Sequence, residues 1–299
     1  MSGAPTAATR TGPLRRRAAL AATALAAAAG LAATALSGGA AKAATVPTPD
    51  HTLVVVFENH SYSQVVGSSS APYITSLANT GANLTQSYAL THPSQPNYFD
   101  LFSGSTQGTT DDTCPPPGSP YSTANLGAEV RAVGKSWGSY NEGLPSQGST
   151  TCSNSAGKYA RKHNPWFSFT NVPTSTGYTF AQFPTDYTTL PTVSFVVPNL
   201  CDDMHDCSVS TGDSWLKSKI GGYAQWATTH NSVLIVTFDE DNGSAGNRIA
   251  TIFYGAHVKQ GAYSTHYNHF NVLRTIEDMY GTTHAGAAGT ATPITEIWQ

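Results

Sequence analysis

The sequence predicts an α/β fold, a three-layer α/β/α sandwich with a mostly parallel central sheet. Three observations carry that prediction. Valine-rich apolar runs such as HTLVVVF (51–57) show no polar alternation, as expected of strands buried on both faces. Stretches with helical spacing alternate with those runs along the chain. The runs end in acidic, amide or imidazole groups, the composition found where ligands bind at the carboxyl ends of parallel strands.

The elements follow in order. After the strand 51–57, APYITSLANTG (71–81) reads as a helix with Ile74, Leu77 and Ala78 on one face and a glycine stop. In THPSQPNYFDLFSG (91–104) prolines stiffen the chain on both sides of Ser94, and a helix begins just after. VSFVVPNL (193–200) is a second buried strand, followed by a helix in SWLKSKIGGYAQWATTH (214–230). SVLIVTFDED (232–241) and RIATIFYG (248–255) are the third and fourth strands. NHFNVLRTIEDMYG (268–281) sets Phe270, Leu273, Ile276 and Tyr280 close to helical spacing and stops at Gly281.

Residues 1–43 have the layout of an export signal. Arg10 and Arg15 to Arg17 precede an Ala/Leu stretch, Ala18 to Leu36, and Ala41-Lys42-Ala43 supplies a cleavage site. The adjacent arginines suit the twin-arginine route as well as the general one. An uncleaved membrane anchor is the alternative reading, and no later segment is long and apolar enough to span. Residues 44–299 then form a single domain of a secreted, extracellular protein. Without the signal, ten Lys/Arg face eighteen Asp/Glu, a net charge of −8. That balance argues against nucleic acid as a partner. For an anionic substrate the positive charge must be local, from a metal or from the ten histidines, all of which follow residue 43. Cys114, Cys152, Cys201 and Cys207 in an exported chain predict two disulfides, by proximity 201–207 and 114–152. A zinc site from Cys201, His205 and Cys207 is the rival.

The strand ends supply the candidate site. Glu58 and Asn59 follow the first strand, and Asp239 and Glu240 follow the third; these four are candidate ligands of a divalent cation, Mg, Ca or Zn. TFDEDNG fails as an EF-hand loop, because Gly243 falls at position 5 and Ala250 at position 12. CDDMHDC presents Asp203 and His205, the latter able to give a proton to a leaving group. His266 and His269 enter the last helix three residues apart, and His163 lies in a loop. Read alone, Ser94 is a helix N-cap; beside acidic strand ends it becomes a candidate nucleophile.

ENHSY, HPSQPNY, KHNPW, VPNLCDDMHD, FDEDNG and HYNHFNVLRTIEDMYG, in that order, resemble the bacterial phosphoesterase family across residues 52 to 282. That family contains secreted acid phosphatases, some acting on phosphatidylinositol 3-phosphate, and is distantly related to bacterial phospholipases C. The resemblance implies an alkaline-phosphatase-like sandwich and hydrolysis through a phospho-enzyme, usually with metal help. SQPNYFDLFSG is similar to the nucleophile segment of the related nucleotide pyrophosphatases, which points to Ser94. Glu58 stands where many relatives carry Asp, and Asp203 and His205 are spaced D-x-H where many have D-x-x-x-H.

The expected function is a secreted phosphomonoesterase acting on a phosphorylated small molecule or lipid headgroup. Ser94 attacks phosphorus, and His205, with His92 or His269, protonates the leaving group. Asn97, His163, Asp203 and His266 are the substrate-binding candidates. The rival activities are a phospholipase C-type phosphodiesterase and a non-catalytic phosphate-ligand binding protein.

Overall fold

The computed structural model describes residues 45–299, so the export-signal reading of 1–43 lies outside them. Strand β1 (His51–Phe57) is buried from Thr52 onward because both faces of the sheet are covered. Its side chains alternate between two cores, as the two-residue period of a strand requires. Leu53, Val55 and Phe57 enter one core with Ile74, Leu77, Trp215, Leu216 and Tyr223. Val54 and Val56 enter the other with Phe99, Phe102, Leu126, Val130 and Ile276. Each such side chain contributes about 1.5–3 kcal/mol by leaving water.

After β1 come α1 (Tyr62–Val65), α2 (Pro72–Thr80), β2 (Ala82–Leu84), β3 (Ser87–Tyr88), α3 (Ser94–Ser103), α4 (Leu126–Ala132) and β4 (Trp137–Asn141). The middle of the chain adds β5 (Gly177–Thr179), β6 (Val193–Val197), α5 (Val209–Lys219), α6 (Gly221–Ala227) and β7 (Ser232–Phe238). The last elements are β8 (Arg248–Ile249), β9 (Thr251–Gly255), β10 (Gly261–Tyr263), β11 (Tyr267–Asn268) and α7 (His269–Tyr280). The main sheet has eight strands in the order β10-β2-β9-β7-β1-β6-β4-β5. β9 pairs antiparallel with both neighbours, and the remaining pairs are parallel. Helices α3, α4 and α7 supply one core, and α2, α5 and α6 the other. The protein is thus the α/β sandwich with a mostly parallel sheet that the sequence predicts.

The sheet register positions the site. Phe57 pairs with Phe238, so Glu58 and Asp239 leave neighbouring strands at one level. From the other side Glu58 N–H donates to the Asp203 carbonyl at 2.9 Å, tying the post-β6 loop to the same edge.

Three expectations change in detail. The strand expected over 248–255 is divided at Ala250, and β8 joins β3 and β11 in a small second sheet. The helix expected over 214–230 starts earlier, with Ser208 accepting the Thr211 N–H, and divides into α5 and α6 at Ile220. Gly222 follows just past the break, where a Cβ would lie 2.5 Å from the Tyr187 hydroxyl and would displace that ring. The third change is at Ser94. Pro93 occupies the N-cap, Ser94 is the first residue of α3, and its hydroxyl caps nothing. The two expected glycine stops hold: Gly81 is the C-cap of α2, and Gly281 caps α7 with φ 63° in the left-handed region, as Gly104 does after α3. Cys114–Cys152 and Cys201–Cys207 form disulfides, which removes the rival zinc site.

Candidate active site

Glu58 is fully buried at the end of β1. Its Oε2 accepts from Ser94 Oγ at 3.0 Å, and its Oε1 accepts from the Tyr98 hydroxyl. Tyr98 lies one helical turn after Ser94, so both reach the same carboxylate. Glu240, from the end of β7, takes a weaker bond from Ser94 Oγ at 3.5 Å. Its other oxygen accepts from Asn97 Nδ2 at 3.2 Å and lies 3.0 Å from His92 Nδ1. Asp239 Oδ1 accepts the Asn59 N–H at 3.1 Å. Asn59 turns the chain off the strand with φ 53°, a conformation its short polar side chain tolerates.

Ser94 therefore sits beneath two adjoining strand ends, at the start of a helix whose next N–H, from Gln95, is accepted by Asp112 Oδ1 at 3.0 Å. The cleft above it, about 420 Å³, is lined by Asn59, His92, Glu240, Asp241, Asn242 and Gly243. Glu58, Asp203, Asp239 and Glu240 are buried carboxyls facing one another. Burial, then the charges of Asp239 and Asp203, pushes Glu58 well above the usual carboxylate range. Burial likewise pushes Asp239 up to about 6, and burial with the Asp239 charge pushes Glu240 up to about 8. Asp203 is raised in the same way. Such a set holds either protons or a cation.

The structure brings Ser94, Glu58, Asn59, Asp239, Glu240 and His92 together, as expected. It also brings in His163, whose Nε2 lies 3.2 Å from Glu58 and whose Nδ1 lies 3.5 Å from Asp203. His163 stacks on Tyr98 with ring centroids 5.1 Å apart, and burial pulls its pKa well down. Glu58, His163 and Asp203 offer ligand atoms all within 4.8 Å of one another. His205 stands at the edge of this group, its ring 5.9 Å from that of His163 and its Nδ1 2.8 Å from Asp206.

Other candidates fall differently. Asn97 is committed within the protein: Oδ1 accepts from Leu90 and Thr91 N–H, and Nδ2 donates to the Thr91 carbonyl and Glu240. It clamps the loop before Ser94 and has no valence left for substrate. His269 is buried, its Nε2 bonded at 2.7 Å to the Asp239 carbonyl, and burial pulls its pKa down to about 4. It positions the end of β7, with its Nε2–H spent on that carbonyl and the ring neutral. His266 is exposed, stacks on Tyr88 at 4.6 Å, and lines a separate hollow with Asn268 and Phe270. Sequence reasoning missed Tyr98, whose i+4 spacing from Ser94 is the signal. It also missed the Lys162–Asp112 ion pair, at 2.6 Å, for which sequence carries no signal because the partners are fifty residues apart.

The mostly parallel sheet between two helical layers, with the candidate site at its carboxyl edge, is a fold of the alkaline-phosphatase type. Solved structures agree on the fold. A protein of the alkaline phosphatase superfamily from Vibrio parahaemolyticus superposes with TM-score 0.62 at 13% identity, over 86% of this chain and 72% of that one. Murine ectonucleotide pyrophosphatase/phosphodiesterase 5 superposes with TM-score 0.54 at 10% identity, over 79% and 96%. Within that class, the phosphoesterase family model matches residues 68–283, and the chain belongs to that family. It is accordingly a hydrolase of phosphoric ester bonds. A phosphatidylinositol-3-phosphatase of Mycobacterium tuberculosis is 51% identical over 255 residues, 85% of this chain and 84% of that protein. An acid phosphatase of Aspergillus fumigatus is 30% identical over 74% of this chain and 53% of its own length.

Proposed function

We propose that the protein is a secreted phosphomonoesterase that works through a phosphoserine on Ser94. The observation that carries this reading is Ser94 Oγ at the start of α3, 3.0 Å from Glu58 Oε2. The positive end of the α3 dipole favours an anion there, and Glu58 receives the hydroxyl proton as the O–P bond forms. His92, half-exposed between Glu240 and Asp241 at the cleft mouth, protonates the leaving alkoxide. Water then cleaves the phosphoserine and releases inorganic phosphate. The 51% identical phosphatidylinositol-3-phosphatase supports a phosphoinositide or similar phosphorylated headgroup as substrate. The two disulfides support an oxidising, extracellular location.

The donor set fits a hard divalent cation. Asn59 Oδ1 and Asp239 Oδ2 are buried without a hydrogen-bond partner, beside Glu58 and Glu240. Glu58, His163 and Asp203 form the neighbouring nitrogen-containing set. A bound cation would supply charge neutralisation for the phosphoryl oxygens and lower the pKa of the serine hydroxyl.

The test is a substrate panel at several pH values, with and without chelator: p-nitrophenyl phosphate, its bis ester, phosphatidylcholine and phosphatidylinositol 3-phosphate. Phosphate release from the monoesters alone is expected; turnover confined to the diesters would replace this reading with a phospholipase C-type one. Ser94→Ala should lower kcat on the order of 10³-fold or more with fold and phosphate binding kept. Full activity in that variant would remove Ser94 from the mechanism.

A further inference from the structure

Among the described residues, Lys162 is the lysine whose charge acts on the carboxylate-rich site. The described arginines Arg131, Arg161, Arg248 and Arg274 spend donors on backbone carbonyls or on Asp278. Lys162 is different. Its side chain is 19% exposed, and Nζ donates to Asp112 Oδ2 at 2.6 Å. The other oxygen of Asp112 accepts the N–H of Gln95, the residue after Ser94, at 3.0 Å. On its own chain Lys162 precedes His163, 3.2 Å from the same Glu58 carboxylate that holds the Ser94 hydroxyl. The ammonium is thus tied to the nucleophile by two short routes.

Asp112 is itself held firmly. Gln95 Nε2 donates at 2.9 Å to both the Asp111 and Thr113 carbonyls, and Cys114 fixes the following turn to Cys152. An ammonium has three N–H donors, and the bond to Asp112 uses one. The charge of Lys162 acts on Glu58, Asp203 and Glu240, each of which it pulls toward the ionised form against the stronger effect of burial.

We propose that Lys162 is a phosphate-binding residue: with one N–H spent on Asp112, which competes for its charge, its ammonium donates another to a non-bridging oxygen of the phosphoryl group that Ser94 attacks. This rests on the phosphomonoesterase reading above and gives it a source of specificity. A dianionic monoester gains more from one fixed positive charge than a monoanionic diester does.

The experiment compares Lys162→Met, Lys162→Arg and Asp112→Asn with p-nitrophenyl phosphate as substrate and inorganic phosphate as competitive inhibitor. Lys162→Met should raise KM and the phosphate inhibition constant together by about tenfold or more, the worth of a charge-assisted hydrogen bond. Lys162→Arg, which keeps the charge, should hold both within about threefold, because the group acts as a point charge. Asp112→Asn retains an oxygen for the Gln95 N–H and removes the competing negative charge, so the inhibition constant should fall. A merely structural ion pair would instead lower the melting temperature and kcat in both Lys162→Met and Asp112→Asn, with no opposite movement of phosphate affinity. An unchanged inhibition constant in Lys162→Met, or one not lowered in Asp112→Asn, overturns the proposal. If Lys162→Met does not fold, the sign for Asp112→Asn decides alone. If the wild type turns over no monoester, the phosphatase reading fails, and calorimetric titration of inorganic phosphate into the same variants still decides the role of Lys162.

Discussion

Ser94 shows how a common residue acquires a specific role. An N-cap serine turns its hydroxyl back to its own helix, but here Pro93 takes the cap position and the hydroxyl points across to Glu58 and Glu240. The four carboxyls around it explain the expected response to chelation. Asp239 at about 6 and Glu240 at about 8 lie above their usual values because burial disfavours the charged form. A carboxyl raised in the folded state contributes stability that is complete below its unfolded pKa and is lost as pH rises through the folded one. The chelated protein should therefore lose melting temperature steadily from pH 5 to pH 8, while a cation-loaded sample should not. The gap between the two melting curves should widen with pH; a gap that is constant or narrows would mean that no cation shares these carboxylates.

At the scale of elements, the loop after β6 and helix α7 each carry a testable constraint. Cys201–Cys207 closes a short loop around Asp203 and His205. Replacing both cysteines by serine should cost about 2 kcal/mol from the restored freedom of the unfolded chain. It should also lower kcat, since the loop's contacts to Glu58 and His163 loosen; urea unfolding and steady-state kinetics read the two effects separately. On α7, Glu277 is fully buried and accepts the Ala285 N–H at 2.8 Å. Burial, joined by the charge of Glu129 on α4 and opposed by Arg274, pushes it up to about 9. Glu129 in turn accepts from Thr283 and feels His284. The folded state therefore holds a proton that the unfolded chain releases near 4.5, and stability falls as pH rises toward 9. Glu277→Gln keeps the oxygen for Ala285 and should flatten this decline, with a gain of about 1 kcal/mol or more at pH 9. An unaltered pH–stability profile would show that Glu277 ionises normally.

For the whole molecule, the described residues 45–299 lie in one compact unit, and no described helix is long and apolar enough to cross a membrane. The export-signal reading of residues 1–43 predicts that a chain beginning at residue 44 folds alone with the full activity of the longer chain, checked by assay and by N-terminal sequencing of the protein recovered from culture medium; loss of activity in that chain would overturn the reading. Much of this architecture was legible in the sequence. The valine runs of β1, β6 and β7 declared strands buried on both faces, and their acidic ends declared the edge where the site lies. β4, with Trp, Gly, Ser, Tyr and Asn, matched no apolar pattern and went unread, although it is buried throughout. Local composition and spacing determine such elements because burial and backbone preference act residue by residue, and an even set of four cysteines limits its own pairings. The tertiary structure alone decided the rest: the reversed direction of β9, the commitment of Asn97 and His269 to the scaffold, the entry of His163 beside Glu58, and the meeting of Lys162 with Asp112. Those outcomes depend on strand order, register and chain crossings between distant segments, and the side chains that meet there bear no local mark of their partners.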